Sequence, residues 1–266
     1  PVAAFREVFR SRYVEPTLEE VRSPMGLDKL EHLKALCAMP RLRDLWKAIY
    51  NQEPDEQDVQ DMFRDLDESM TRHVRDFAAP VPGFLDVVAA LRGMGLRIGS
   101  TSGYGASIMA VLRKEAARLG YRPDCVACAS DVPAGRPYPW MCLRNAIELG
   151  VYPMEAMVKV GDTVNDVFEG LNAGMWSVAV STSGNEMGLS LAEVQALPPA
   201  ELAARQETVA ARLRAAGAHY VLSDIRGLPA VVEEINQFLA RGQRPCDVDP
   251  FPYDLSPASA AGQPEA

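Results

Sequence analysis

Two carboxylates four residues apart are the most informative chemical feature of this chain. Residues 158–166 read Val-Lys-Val-Gly-Asp-Thr-Val-Asn-Asp, an apolar strand followed by Asp162 and Asp166. Asp162 would lie at the carboxyl end of that strand. Asp166 would lie on the first turn of a helix that Thr163 or Asn165 caps. A carboxylate pair in this position suits Mg²⁺ in contact with a phosphate, although acidic residues at such a turn also serve as simple helix caps.

Two further segments place phosphate-binding groups after predicted strands. Residues 97–104 end a strand with Thr101 and Ser102 followed by a glycine, which offers hydroxyl and backbone N–H groups to a phosphate oxygen. In residues 131–140, two prolines after Arg136 stiffen the loop, so that the guanidinium is suited to holding a phosphoryl group. Each segment alone has a plainer interpretation, as a common turn or a surface salt bridge. Together with the carboxylate pair, these two segments place a hydroxyl, a cation and two carboxylates at three successive strand ends. The three jointly predict a phosphoryl-transfer site.

The elements that must position these residues follow two patterns along the chain. Residues 1–78 have helical periodicity alone, which predicts a small bundle with helices at 2–13, 29–36, 42–50 and 59–74. Over 79–243 helices alternate with strands, which predicts an α/β fold with a doubly wound parallel sheet and an active site at its carboxyl edge. The expected strands are 97–101, 125–129, 157–160, 176–180 and 219–222. Residues 244–266, rich in Pro, Ala, Ser and Gly, predict a poorly ordered tail.

Composition narrows the class of protein. The 266 residues are 48% hydrophobic and 24% charged, which is typical of a soluble globular protein of one or two domains. The net charge of −9 argues against a nucleic-acid-binding surface, which needs clustered lysine and arginine. We find no apolar run that could span a membrane and no signal peptide at the start, and we therefore expect a cytoplasmic protein.

The cysteines indicate a reducing compartment. There are 5 of them, an odd number, scattered along the chain. Cys125 and Cys128 have the spacing of a redox pair, but they lie in an apolar run that predicts a buried strand. Because no second Cys or His pair is near, we interpret them as core residues and not as a zinc or disulfide-exchange site.

The order of these motifs resembles a known superfamily. A hydroxyl at a strand end, a basic loop residue and then Gly-Asp-x-x-x-Asp are similar to the haloacid dehalogenase superfamily, whose fold is a Rossmann-like core with a helical cap. Within it, the chain from residue 1 to about 239 resembles the phosphonoacetaldehyde hydrolase family, through segments 24–32, 100–104, 131–141 and 160–166. The resemblance implies hydrolysis of phosphonoacetaldehyde to acetaldehyde and phosphate, with Mg²⁺, in 2-aminoethylphosphonate degradation. It also implies a homodimer formed through the cap.

The resemblance assigns the central role to Lys29. A departing carbon would leave as a carbanion, but a lysine imine with the aldehyde is an electron sink and turns the leaving group into an enamine. Lysine attacks only when neutral, so burial or a nearby positive charge must lower its pKa. His32, three residues later on the same helical face, would shuttle protons. Without the flanking motifs, Lys29 would be interpreted as an ordinary surface lysine.

The resemblance implies the remaining roles as well. Ser102 and Arg136 would hold the phosphoryl oxygens, with Thr101 as an adjacent alternative to the serine. Asp162 would bind Mg²⁺, and Asp166 would act through water or by orienting the site. The residues expected to shape the substrate pocket are Met25, Gly26, Gly103 and Tyr104.

One departure from the superfamily pattern concerns the nucleophile. Members attack phosphorus with an aspartate in an Asp-x-x-Gly-Thr segment at the end of a central strand, and the 266 residues contain no such segment. We therefore expect these residues alone to be inactive in C–P cleavage and poorly folded, and the complete natural gene product to be active. Two alternatives remain: another phosphatase or mutase of the superfamily, which would not need Lys29, and a non-catalytic truncated homologue that keeps the pocket.

Overall fold

A helical region comes first in the chain. The computed structural model describes residues 2–25, 27–74 and 78–248, so that Gly26, a predicted pocket residue, and the tail from 249 onward lie outside the described residues. The first five helices are α1 (Val2–Arg10), α2 (Leu18–Arg22), α3 (Lys29–Ala38), α4 (Pro40–Tyr50) and α5 (Glu56–His73). Their apolar faces share one core, which includes Phe5, Phe9, Leu33, Leu36, Met62 and Leu66. We call residues 2–74 the helical region.

An α/β region follows, over residues 78–248. Its strands are β1 (Gly99–Ser102), β2 (Cys125–Cys128), β3 (Val158–Gly161), β4 (Trp176–Val180) and β5 (Tyr220–Leu222). Its helices are α6 (Phe84–Gly93), α7 (Ala106–Arg118), α8 (Trp140–Leu149), α9 (Val164–Asn172), α10 (Leu191–Ala196), α11 (Pro199–Ala215), α12 (Leu228–Ala240) and α13 (Pro245–Val248). All five strands lie where the sequence predicts them, whereas α2 and α10 are additional short helices. The first residues of the predicted tail form α13.

Strand β4 shows why the α/β region is layered. It is buried at every position, and successive side chains of a strand point to opposite faces. Trp176, Val178 and Val180 pack with α6 and α12 on one face. Ala179 packs with α9 and α11 on the other face. Helices therefore cover both faces of this strand, as in a doubly wound fold.

The strands form two parallel sheets, where the sequence predicts one. β1 pairs with β2, and β4 pairs with β3 on one side and β5 on the other. β1 and β3 both line a cavity of about 910 Å³, which separates the two sheets. The two strands nevertheless contact each other through side chains. The Nζ of Lys159, on β3, donates a hydrogen bond of 2.7 Å to the Oγ1 of Thr101, on β1.

The helical region lies over the carboxyl ends of the strands. The Nδ2 of Asn165, on α9, donates to the carbonyl oxygen of Met25 at 3.1 Å. A Cβ atom on Gly103 would lie 3.2 Å from the carbonyl oxygen of Leu27, which shows how closely the two backbones approach. Ser107 donates to Asp67 at 2.7 Å on a further part of the same boundary. Within the described ranges, none of the helices combines the length and apolar character that a membrane crossing requires.

Candidate active site

One cavity collects most of the predicted site residues from both regions. The side chains of the helical region and of the strand ends meet there, because the two regions close over each other. The predicted residues that line it are Met25, Lys29, Ser102, Gly103, Tyr104, Arg136, Asp162 and Asp166. His32 is not among the residues that line its described part.

Lys29 occupies the first position of α3. Asp28 caps this helix, because its side chain accepts hydrogen bonds from the backbone N–H groups of the second and third helical residues. The Nζ of Lys29 lies 5.5 Å from the ring centroid of Phe5 and 5.2 Å from that of Tyr104. Two aromatic faces thus surround the amine at the point where it enters the cavity.

The pKa of Lys29 falls well below the ordinary value for lysine. Burial is the main cause and the positive charge of Arg136 adds to it, while Asp28 opposes them, and together they lower the pKa of Lys29 to about 8. At pH 7 a group with this pKa is neutral in about one molecule in ten, far more often than an exposed lysine. Lys29 is therefore able to act as a nucleophile near neutral pH.

His32 is buried behind Lys29. Its Nε2 donates a hydrogen bond of 2.9 Å to the carbonyl oxygen of Val21, and its ring stacks on Phe5 with centroids 3.9 Å apart. Burial, and then the charge of Lys29, lower the pKa of His32 to about 3, so that the imidazole is neutral. Its Nδ1 is buried and has no hydrogen-bond partner in the described part of the chain.

Arg136 is held by two elements of the α/β region. Its Nε donates to the Oε2 of Glu169 at 2.8 Å and lies 3.1 Å from the Oδ1 of Asp166. Its Nη2 donates to the carbonyl oxygen and the Oγ1 of Thr101, at 3.1 and 2.9 Å. Burial opposes the charge of Arg136, but the two carboxylates outweigh it and raise its pKa. The guanidinium is therefore charged and fixed in its plane.

Lys159 is a second buried cation at the same place. Its Nζ lies 2.6 Å from the Oε2 of Glu169, 3.1 Å from the Oδ1 of Asp166 and 2.7 Å from the Oγ1 of Thr101. Burial and Arg136 oppose its charge, yet the carboxylates raise the pKa of Lys159. Two cations and two carboxylates thus form one buried cluster, which we call the charge cluster: Arg136, Lys159, Asp166 and Glu169.

The two predicted metal ligands have different surroundings. Both oxygens of Asp166 are engaged, since Oδ1 faces the two cations and Oδ2 accepts from the Oγ1 of Thr163 at 2.6 Å. The Oδ2 of Asp162 accepts from the backbone N–H and the Nδ2 of Asn185, at 2.6 and 2.8 Å. Burial, and then Asp166, raise the pKa of Asp162. The Oδ1 of Asp162 accepts no hydrogen bond from the described residues and is available to a cation.

This donor set fits Mg²⁺. The described residues hold no group of three or more His, Cys, Asp or Glu that suits a metal ion. Mg²⁺ needs no such group, because it keeps several waters and is commonly bound through one or two carboxylates and a substrate phosphate. The repulsion from Asp166, which adds to burial in raising the pKa of Asp162, is also relieved when a cation binds there.

The chain matches known proteins along most of its length. The family model of haloacid dehalogenase-like hydrolases matches residues 2–174. A phosphonoacetaldehyde hydrolase-like protein of Syntrophobacter fumaroxidans is 48% identical, over 92% of this chain and 88% of that protein. The chain belongs to the haloacid dehalogenase-like hydrolases, in the phosphonoacetaldehyde hydrolase family. A phosphonoacetaldehyde hydrolase of Bacillus cereus (strain ZK / E33L) is 46% identical, over 89% of this chain and 90% of that protein.

A solved structure supports the fold of this hydrolase. The crystal structure of a phosphonoacetaldehyde hydrolase-like protein from Oleispira antarctica superposes with a TM-score of 0.90 at 38% identity. The superposition covers 92% of this chain and 88% of that chain. The haloacid dehalogenase-like α/β fold that the sequence predicts is therefore confirmed.

Two charged residues of the hydrolase were missed from the sequence. Lys159 lies between two valines of β3, and a lysine within a buried strand requires an acidic partner. Glu169 lies three residues after Asp166 on α9 and so shares its helical face. These two signals together could have predicted the charge cluster.

Proposed function

We propose that this hydrolase cleaves the carbon–phosphorus bond of phosphonoacetaldehyde, giving acetaldehyde and phosphate, in 2-aminoethylphosphonate degradation. The observation that carries the proposal is the placement of Lys29, with its pKa near 8, in the same cavity as Arg136 and Asp162. A phosphatase acting on a phosphate ester would need the cation and the carboxylates but not the amine, since oxygen is already a tolerable leaving atom.

Lys29 supplies the electron sink. Its neutral Nζ attacks the aldehyde carbon, and loss of water gives a protonated imine. When the C–P bond breaks, its electron pair passes into the imine and forms an enamine. Protonation of the enamine at carbon and hydrolysis of the resulting imine release acetaldehyde and free the amine. The phosphoryl group passes from carbon to an oxygen nucleophile, which in members of the superfamily is an aspartate, and water then releases it as phosphate.

The phosphonate is held by groups at the strand ends. Arg136 lines the cavity, and its Nη1 has no hydrogen-bond partner among the described residues, so that it is free to donate to a phosphonate oxygen. The Oγ of Ser102 accepts from the N–H of Tyr104 at 3.2 Å, so that its own proton is available to a phosphonate oxygen. Both donors offset charge as the bond breaks.

We place Mg²⁺ at Asp162, with Asp166 orienting the site through its neighbours. Mg²⁺ neutralises charge on the phosphonate oxygens when it is bound. We also assign His32 to proton transfer around the imine, through Nδ1. Its position one turn after Lys29, against the same ring of Phe5, supports this assignment.

We further propose that the helical region is the cap domain, over 1–78, and that the α/β region is the core domain, over 79–243. A homodimer through the cap is supported by two exposed apolar side chains one turn apart on α4, Leu45 and Ile49. The free cysteines among the described residues agree with a cytoplasmic location.

Phosphate release by the full-length protein tests the proposed function. With Mg²⁺ and phosphonoacetaldehyde, Lys29→Arg is expected to lower kcat/KM by about a thousandfold or more, because arginine keeps the charge but cannot form the imine. Lys34→Arg is the matched control, since Lys34 lies on the same helix and pairs with Glu31 at the surface. A protein that hydrolyses p-nitrophenyl phosphate faster than phosphonoacetaldehyde, with or without Lys29, would contradict the proposal and favour an ester phosphatase.

A further inference from the structure

Glu169 is a fully buried carboxylate to which the proposed reaction gives no role. Its side chain is 0% exposed, and its Oε2 accepts from three donors: the Nε of Arg136, the Nζ of Lys159 and the Oγ1 of Thr101. Its Oε1 is buried with no hydrogen-bond partner in the described residues. Such an arrangement costs stability that apolar side chains of similar volume would not cost. A function is therefore needed to explain the charge.

The contacts of Arg136 indicate what that function is. Glu169 accepts a hydrogen bond from the Nε of Arg136. Thr101 accepts two from the Nη2 of Arg136, one at its carbonyl oxygen and one at its hydroxyl oxygen. Two edges of the planar guanidinium are thereby fixed, which leaves Nη1 as the remaining donor of a residue that lines the cavity. A phosphonate oxygen meets a donor whose direction is already set.

Asp166 alone could not fix the direction of Arg136, because Lys159 also binds to it. All three N–H groups of its ammonium have acceptors, namely Glu169, Asp166 and Thr101, so that it has none left for a substrate. The Oδ1 of Asp166 is 3.1 Å from both Lys159 and Arg136. Without Glu169 the two cations would compete for that one oxygen, and Arg136 would lose its fixed direction.

We infer that Glu169 is a positioning residue, which acts through Arg136 to orient Nη1 toward the phosphoryl group of the substrate. The inference rests on the proposed function for the identity of the substrate. It predicts that Glu169 governs the binding of the phosphoryl group and takes no part in the chemistry of the aldehyde at Lys29.

Two ligands that each carry half of the substrate separate these effects. Inorganic phosphate, titrated with Mg²⁺ by calorimetry, reports Arg136; acetaldehyde, trapped with borohydride, reports Lys29. In the full-length protein, Glu169→Gln is expected to weaken phosphate binding by about tenfold, as for a lost charge-assisted hydrogen bond. Acetaldehyde trapping, measured well above pH 8 where the amine of Lys29 is neutral, is expected to be unchanged. Glu201→Gln, at an exposed ion pair with Arg205, is the matched control and should alter neither.

The outcomes distinguish positioning from structural support. A folded Glu169→Gln protein with normal phosphate affinity, or with equal loss of both ligands, overturns the inference. If that variant does not fold, Glu169→Asp is measured instead, because it keeps the charge but withdraws the carboxylate by one methylene. Loss of the fold in both variants shows structural support and also overturns the inference. Absence of an acetaldehyde adduct in the unmodified protein refutes the imine chemistry, while the phosphate titration still tests Glu169.

Discussion

The pKa of Lys29 depends on influences of opposite sign. Burial and Arg136 lower its pKa, whereas the helix cap Asp28 raises it. The cap residue thus holds two roles at one position, because its carboxylate also accepts the N–H bonds that begin α3. The charge and the capping function can be separated experimentally, since asparagine caps helices as well as aspartate does.

Asp28→Asn is expected to lower the pKa of Lys29 further, below about 8, because it removes the negative charge that stabilises the ammonium. Borohydride trapping of acetaldehyde at Lys29 should rise with pH as the amine deprotonates, and the midpoint of this rise should move to lower pH in the variant. Glu31→Gln is the control on the same helical turn and should leave the midpoint in place. A midpoint that stays or moves upward with Asp28→Asn would show that Asp28 has no such influence.

At this scale the sequence predicts which residues meet in the cavity better than it predicts their contacts. Motif order brings Lys29, Arg136 and Asp162 to one cavity in the expected combination. The spacing of His32 predicts the correct helical face but not the stacking of its ring on Phe5. That stacking depends on Phe5, which lies 27 positions before His32 in the sequence. A contact between two distant segments does not change the hydrophobic periodicity of either segment, so the sequence pattern does not predict it.

Among the elements, the loop after β4 fixes the carboxyl edge of β3. Asn185 donates two hydrogen bonds to Asp162. Its neighbour Gly184 has a φ of 148°, a backbone angle that residues with a side chain rarely adopt. A Cβ on Gly184 would lie 2.4 Å from the Cβ of Asp162. The loop and the aspartate therefore fit together only while position 184 is glycine.

Gly184→Ala is expected to displace Asp162 or the loop and to weaken cation binding by about tenfold, the scale of strain at one disallowed backbone position. Titration of the full-length protein with Mg²⁺ by calorimetry, or with Mn²⁺ by electron paramagnetic resonance, measures this directly. Gly93→Ala is the matched control, because Gly93 lies at the end of α6 and an added Cβ would meet no atom within 4 Å beyond its chain neighbours and the backbone of its own helix. Equal affinities in the two variants would mean that the loop does not position Asp162.

Strands and long helices were predictable, because apolar runs and 3.6-residue periodicity mark them directly. The short helices α2 and α10 were missed, since five and six residues carry too little periodicity. Both begin with a capping box, Thr17 with Glu20 and Ser190 with Glu193, which is a sequence signal independent of length. A search for this pattern would have placed both helices.

At the scale of the whole molecule, the cavity lies where the helical region meets the α/β region. Lys29 comes from one and the charge cluster from the other, and contacts such as that of Asn165 with Met25 hold them together. The sequence predicts both regions but not how they pack against each other. The contacts at their boundary are made by single residues, which follow no helical or strand periodicity. It also predicts one sheet, whereas the described strands form two, with the cavity between β1 and β3.

Borohydride trapping of the full-length protein during turnover of phosphonoacetaldehyde decides whether the amine of the helical region carries the reaction. We expect mass spectrometry to find an ethyl group on Lys29, the reduced imine that remains after the C–P bond has broken, and none on Lys34 or Lys159. Phosphate should appear in solution in the same reaction. Phosphate release without any adduct on Lys29 would contradict the imine route and the function proposed from it.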